Sequence, residues 1–162
     1  NYKLKTKTKM GRVFFDTVEN VQNLGAAYQV LASDSNKTFV LDLAGGFVVT
    51  LPADATTNIG WNCRFYVKTA SDAAYLIKCA NVSGDQFVGG FSVASTTAGF
   101  GHAVLAAAND SQIAFDANLA NGAGEPGSYM DIVKIAANNY AISGFMISDD
   151  ADSTGAAVLS NI

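Results

Sequence analysis

The stretch Trp61-Asn62-Cys63-Arg64-Phe65-Tyr66-Val67-Lys68 alternates between two sets of side chains, one apolar and one largely polar. Successive side chains of a β-strand point to opposite faces of a sheet, so this alternation predicts a strand with one buried face. The residues expected on the buried face are Trp61, Cys63, Phe65 and Val67. Residues 59–69 are therefore expected to form the clearest strand of the chain.

Similar short patterns lie on both sides of this strand. We expect further strands at residues 28–32, 38–43, 47–51, 75–79, 86–88, 102–106, 112–117, 130–136 and 140–147, with a helix as the alternative at 103–108. Several short strands separated by Gly, Asn, Asp and Ser turns are typical of an antiparallel sandwich or a jelly-roll-like barrel. The predicted fold class is all-β, with an extended N-terminal arm.

Two hairpins and one short helix are expected within this framework. Pairing of 59–69 with 75–79 places Cys63 opposite Cys79, either as a disulfide or as two buried thiols; a reducing cytoplasm favours the thiols. Asn138-Asn139 is expected to turn the second hairpin, since Asn tolerates the positive φ of tight turns. The spacing of Val18, Val21 and Leu24 predicts a short helix over 17–24.

Charge divides the 162-residue chain, whose net charge is −4, into three parts. Residues 1–16 are expected to form an extended basic arm, residues 17–148 a single β domain, and residues 149–162 an acidic tail. The basic residues of the first twelve positions are Lys3, Lys5, Lys7, Lys9 and Arg12, with no acid among them. In an extended chain the four lysines lie on one face, and the opposite face carries Leu4, Thr6, Thr8 and Met10.

An amphipathic extended arm can add as a strand to the sheet edge of a neighbouring molecule. We therefore predict that the five basic residues of the arm bind a partner; the alternative is a solvated, frayed terminus. Nucleic acid is not expected as the partner, because the rest of the chain is acidic and would repel phosphates.

Three motifs suggest chemistry, and each has a simpler interpretation. Gly122, Gly124 and Gly127 spell G-x-G-x-x-G, but a strand rather than a helix is expected to follow, which indicates a loop. The segment beginning at Asp150 resembles a calcium loop, but position twelve is Asn161 rather than Glu. Ser92 and His102 lack the strand–turn–helix context of a serine hydrolase. We predict no catalytic, cofactor-binding or metal-binding residues, and hence no enzyme and no cofactor.

Aromatic residues offer one further possibility, a platform on which sugar rings stack. The candidates are Trp61, Tyr66, Tyr75 and Tyr140. Aromatic residues at strand spacing are more often part of the core, and Trp61 shares its face with Phe65 and Val67.

The order of these elements resembles the short β domains of tailed-bacteriophage virion proteins. The residues that carry the resemblance are Leu51-Pro52, Gly60 before strand 65–68, strand 75–78, the turn at 85–89, strand 131–135, and Asn138-Asn139-Tyr140 leading to Gly144. The family usually has Trp where this chain has Tyr140, and residues 92–128 form a longer stretch than is usual. The resemblance covers about residues 38–145 and implies a structural role, as a capsid decoration (cement) protein or a tail-fibre or spike module, commonly trimeric.

These observations predict a virion structural protein that decorates or cements a phage capsid, with its arm contacting neighbouring subunits. The expected partners are the major capsid protein or another virion protein. Further copies of the chain are also expected as partners in a homo-oligomer, for which a trimer is one arrangement. No membrane partner is expected. The expected location is the virion, assembled in the host cytoplasm. The alternative function is a tail-fibre or spike module that binds a host cell-surface glycan.

Overall fold

The computed structural model describes residues 20–96, 101–118, 122–149 and 158–161. Half of the described residues are strand and 5% are helix, which confirms the all-β prediction. The described strands are β1 Val21–Leu24, β2 Tyr28–Gln29, β3 Lys37–Leu41, β4 Phe47–Thr50, β5 Asn62–Val67, β6 Tyr75–Lys78, β7 Gln86–Ser95, β8 Gly101–Leu105, β9 Gln112–Phe115, β10 Tyr129–Ala136, β11 Asn139–Ser148 and β12 Leu159–Ser160. Short 3-10 turns lie at Ala32–Asp34 and Asp54–Thr56.

The strands form two open sheets. The larger sheet has seven strands in the order β1-β3-β5-β10-β11-β7-β8, and the smaller sheet has five in the order β12-β9-β6-β4-β2. Both sheets are mixed, so the prediction of purely antiparallel pairing is wrong. The parallel pairs are β1–β3, β3–β5 and β7–β11 in the larger sheet and β2–β4 and β4–β6 in the smaller sheet.

The parallel pairs arise because the first six strands alternate between the sheets. β1, β3 and β5 belong to the larger sheet, and β2, β4 and β6 belong to the smaller one. Each connection carries the chain across to the opposite sheet rather than back beside the strand it has just left. Two connections therefore return the chain to its original sheet in its original direction, which gives parallel neighbours.

This alternation also corrects the first predicted hairpin. β5 pairs with β3 and β10, whereas β6 pairs with β4 and β9, so Cys63 does not lie opposite Cys79 in a ladder. Both cysteines are buried and both are free thiols. Of the two alternatives, buried thiols are the one observed. The second hairpin is confirmed: β10 and β11 are antiparallel, and Asn138 turns between them with φ 59°.

The buried faces of the two sheets share one apolar core. Phe65 and Ile132 enter it from the larger sheet, and Val49 and Ile77 enter it from the smaller sheet; all four are fully buried. The predicted buried face of residues 61–67 is confirmed, since each of its four apolar residues is 5% exposed or less. Burying a large apolar side chain contributes about 1.5–3 kcal/mol, so this alternation supplies much of the stability.

Aromatic contacts join the two sheets within this core. The rings of Phe39 and Phe65, on neighbouring strands, stack with centroids 5.4 Å apart. Tyr28 of the smaller sheet meets Phe39 of the larger one at 5.6 Å. Tyr75 accepts a hydrogen bond from the Leu43 N–H at 2.8 Å and donates one to the Thr69 carbonyl at 2.9 Å. A smaller-sheet side chain thus holds the loops that follow β3 and β5.

Four further predictions concern residues 17–24, 103–108, 122–128 and 149–162. The helix expected over 17–24 is wrong for residues 21–24, which form β1; residues 17–19 lie outside the described part. Residues 101–105 are strand, not helix. Residues 122–128 form the expected loop before a strand. Within the predicted acidic tail, Val158 is buried in the core and β12 pairs with β9.

Candidate interaction surface

The predicted partner-binding residues Lys3, Lys5, Lys7, Lys9 and Arg12 lie outside the described residues, as does the whole predicted arm. The structure does describe the point at which this segment joins the domain. The carbonyl of Asn20 accepts a hydrogen bond from the Thr38 N–H at 2.7 Å. The chain therefore enters the domain beside β3, at the β1 edge of the larger sheet.

The β1 edge carries backbone groups that no described strand pairs with. The carbonyl of Leu24, like that of Asn20, faces β3, and it accepts a hydrogen bond from the Asp42 N–H at 2.9 Å. In a parallel ladder the intervening residues face the other way, so Val21 and Asn23 direct their N–H and C=O groups outward. Both residues are exposed, and Val21 is 54% exposed. Such an edge is a template for pairing with another chain.

The opposite edge of the larger sheet is β8. The Ala106 N–H donates to the Gly89 carbonyl at 2.9 Å, and the register continues with Gly90 opposite Leu105. In an antiparallel ladder hydrogen-bonded and non-hydrogen-bonded pairs alternate. The residues of β8 whose N–H and C=O groups point away from β7 are therefore Gly101, Ala103 and Leu105, all exposed.

The described residues carry a net negative charge. They contain five basic and ten acidic side chains, a balance of −5, whereas residues 1–12 carry +5. Four of the five basic groups lie within ion-pair distance of a carboxylate: Lys37 with Asp34, Arg64 with Asp131, Lys68 with Asp42, and Lys134 with Asp54. The domain thus attracts a basic segment electrostatically.

The outer face of the larger sheet carries a row of aromatic residues. Tyr66, Tyr129 and Phe145 occupy paired positions on β5, β10 and β11. Tyr66 is 41% and Phe145 37% exposed. Arg64 lies over the Tyr129 ring, 4.9 Å from its centroid, and forms two hydrogen bonds of 2.7 Å to Asp131. This pairing with Asp131 raises the pKa of Arg64, so its charge is fixed beside the aromatic row.

The sugar-stacking candidates separate by burial. Trp61 is 5% exposed, and Tyr75 and Tyr140 are fully buried, so these three belong to the core and cannot stack on an external ring. Burial raises the pKa of Tyr140 to about 12. Tyr66 alone of the four candidates presents its ring to solvent.

A buried ammonium group fixes the loop beside the smaller sheet. Lys134 is 4% exposed, and its Nζ donates to the carbonyls of Asp54 at 2.6 Å and Thr57 at 2.8 Å. Nζ also lies 2.7 Å from Asp54 Oδ1, which accepts the Asn138 N–H at 2.8 Å. The hydrogen bond from Lys134, followed by that from Asn138, holds the pKa of Asp54 below its usual value.

Two small polar pockets flank this loop. A pocket of about 250 Å³ is lined by Trp61, whose buried Nε1 has no hydrogen-bond partner in the described part of the chain. A pocket of about 310 Å³ on the other side is lined by Asp54 and Asp85. Asp85 is 2% exposed, and its buried Oδ1 also lacks a hydrogen-bond partner there. Burial raises the pKa of Asp85, and the hydrogen bond from the Asn81 N–H opposes this rise only in part.

The remaining candidates for chemistry are placed as follows. Ser92 lies in the middle of β7 rather than in a turn, opposite Ala103, while His102 lies opposite Val93. Burial raises the pKa of the Cys79 thiol to about 12 and that of Cys63 well above its usual value. The segment resembling a calcium loop falls mostly outside the described residues.

Searches for larger features and for relatives gave no match. Among the described residues there is no group of three or more His, Cys, Asp or Glu side chains placed to hold a metal ion. No helix in the same residues has the length and apolar character needed to cross a membrane. No protein-family model, curated protein or solved structure was found to match the chain.

Proposed function

We propose that this protein is a virion structural component that decorates or cements a phage capsid, docking on the shell while its N-terminal arm contacts neighbouring subunits. One observation carries the proposal: a segment with five basic residues precedes, in the sequence, the β1 edge of an acidic domain, on whose outer side no described strand lies. An extended segment that adjoins one sheet edge can pair with the edge of another sheet.

The proposed contact combines two interactions. Backbone hydrogen bonds between the arm and a neighbouring sheet edge set the register, and the lysines meet acidic groups of the shell or of another copy. Each contact is modest, but many copies on one particle give avidity. The domain behind the arm is a two-sheet sandwich in this proposal, rather than a closed jelly-roll-like barrel, and it acts as a homo-oligomer in the virion.

Electron cryo-microscopy of purified particles that contain this chain tests the proposal. We expect density for the domain at regular positions on the outside of the shell, and its loss when the chain lacks residues 1–12. The control is a chain in which only Lys37 is replaced by Ala, because Lys37 pairs with Asp34 of its own domain at 2.9 Å. Density on the tail alone, or unchanged shell density without residues 1–12, would overturn the proposal.

A second function is favoured by the aromatic row on the outer face of the larger sheet. Tyr66 and Phe145 present their rings to solvent beside the Arg64–Asp131 pair, and glycan sites combine aromatic faces with planar polar groups. In a glycan-array measurement on this alternative, Tyr66→Ala removes the signal and Val48→Ala, on an exposed position of the smaller sheet, retains it. No glycan signal from the unaltered protein would exclude the alternative.

A further inference from the structure

We propose that the outer edge of β8, which no described strand covers, is the receptor for residues 3–10 of a second copy of this chain, which add to the larger sheet as an eighth strand. The inference rests on the arm contact proposed above and identifies the surface that receives it. Its first support is the backbone: Gly101, Ala103 and Leu105 direct N–H and C=O groups away from β7, and all three are exposed.

The other sheet edges suit the arm less well. β2 and β12, the edges of the smaller sheet, are two residues long and offer little backbone to pair with. β1 directly follows the undescribed N-terminal residues of its own chain in the sequence. β8 is the longest described edge, at five residues, and lies at the opposite side of the larger sheet from β1.

The side chains of the two segments also complement each other. Leu105 is 75% exposed, the most exposed large apolar side chain of the described residues. An added strand places side chains directly beside it, and Leu4 and Met10 lie on the apolar face of the arm. The lysines then lie on the other face of the added strand. The +5 charge of residues 1–12 meets a domain with a balance of −5.

Geometry favours a second copy over the chain's own arm. A strand added outside β8 lies seven strand spacings from β1, about 34 Å at ~4.8 Å per spacing. The ten residues from Met10 to Asn20 span at most ~33–36 Å when fully extended. A chain that crosses the sheet over its outward side chains uses this whole length, so no residues remain to bring residues 3–10 into register with β8. An arm that reaches a neighbouring molecule meets no such limit.

Such a contact joins two different surfaces, the arm of one copy and the β8 edge of the next. Contacts of this heterologous kind close into a ring or continue as a line. The test is therefore the association of the full 162-residue chain in solution, measured by light scattering after size-exclusion chromatography at several concentrations. Ala103→Pro removes an outward N–H without removing a hydrogen bond to β7, and Ala103→Thr is the matched control that keeps this N–H.

We expect the unaltered chain and Ala103→Thr to associate, and Ala103→Pro to raise the dissociation constant roughly tenfold or more. The double change Thr6→Pro with Thr8→Pro should have the same effect, with Thr6→Ser and Thr8→Ser as its control. Because the contact joins opposite charges, 0.5 M NaCl should also weaken it. Urea unfolding of Ala103→Pro checks that the domain itself stays folded.

A second measurement does not depend on the proline variant. Chains with Thr6→Cys and chains with Ala103→Cys are mixed and treated with a short bis-maleimide; Cys63 and Cys79 are buried and contribute little. We expect more cross-linked dimer in the mixture than with either variant alone. Equal cross-linking in all three samples, or a chain that stays monomeric at every concentration, overturns the inference. Association that needs residues 1–12 but is unaffected by Ala103→Pro overturns the β8 site and leaves the arm's proposed role standing.

Discussion

At the scale of single residues, Lys134 shows how a charge is accommodated inside this domain. Met130, Ile132 and Lys134 occupy alternate positions of β10 and are all buried. The ammonium group is compensated by Asp54 Oδ1 and by backbone carbonyls of residues 54 and 57. The alternation placed Lys134 on the buried face, but nothing in the sequence near it identifies a partner 80 residues away.

Replacing Lys134 with Met should destabilise the protein. The change keeps much of the apolar stem but leaves the two carbonyls without their donor and Asp54 without its ion-pair partner, at a cost of about 3 kcal/mol. Urea unfolding followed by fluorescence measures the difference. Lys68→Met is the matched control, because Lys68 pairs with Asp42 at the surface, with 55% of its side chain exposed; its loss should cost less than about 1 kcal/mol. Equal losses would contradict the structural role of Lys134.

The same ion pair predicts a pH dependence. The pKa of Asp54 is lower in the folded protein than in the unfolded chain, so its contribution to stability is present above the unfolded pKa of about 4. That contribution is lost as the pH falls through the folded value. Between pH 5 and pH 2 the unaltered protein should therefore lose more free energy of unfolding than Asp54→Asn. Parallel pH profiles of the two proteins would show that Asp54 does not contribute.

At the scale of strands and turns, the sequence located most elements but not their partners. The alternation in residues 61–68 identified a strand and its buried face correctly, because a half-buried strand leaves a period-2 pattern, and residues 130–136 were correctly expected to be a strand. Glycine and asparagine marked the turns equally well. However, glycine and asparagine are equally common in hairpin turns and in connections that cross to the other sheet. The β3–β4 and β5–β6 connections could therefore not be distinguished from hairpins.

Gly46 is required by one of these crossing connections. It has φ 63°, and a Cβ there would overlap the Ala73 carbonyl oxygen and lie 2.5 Å from that of Ala74. Gly46→Ala should therefore reduce the free energy of unfolding by roughly 1–3 kcal/mol. Gly45→Ala is the neighbouring control, with no atom within 4 Å of the added carbon, and should change stability by less than ~0.5 kcal/mol. The pair is compared by urea unfolding, and similar losses would contradict this packing.

At the scale of the whole molecule, the last described residues complete the smaller sheet. Val158 is 1% exposed, and its carbonyl accepts a hydrogen bond from the Ala114 N–H at 2.7 Å. β12 then pairs with β9 through Leu159 and Ser160. The acidic residues of 149–162 predicted a tail. The pairing of β12 was not predicted, because the short apolar run at the end of this segment has no periodicity that indicates a strand.

Removing residues 158–162 should destabilise the domain by roughly 2 kcal/mol, the contribution of a fully buried Val side chain. Thermal and urea unfolding measure the loss. Removal of residues 161–162 alone is the control, because Asn161 is exposed and lies beyond β12. If both deletions leave stability unchanged, β12 does not stabilise the smaller sheet.

The position of β10 and β11 has a consequence for synthesis of the chain. These two strands lie between β5 and β7 at the centre of the larger sheet, yet residues 129–148 follow all the strands beside which they lie. While the ribosome is still translating earlier codons, the nascent polypeptide contains β1-β3-β5 and β7-β8 as two groups that no strand pairing within the larger sheet joins. The two groups become one sheet only after the β10–β11 hairpin has been synthesised. A chain that terminates before this hairpin leaves β5 and β7 each with an additional unpaired edge.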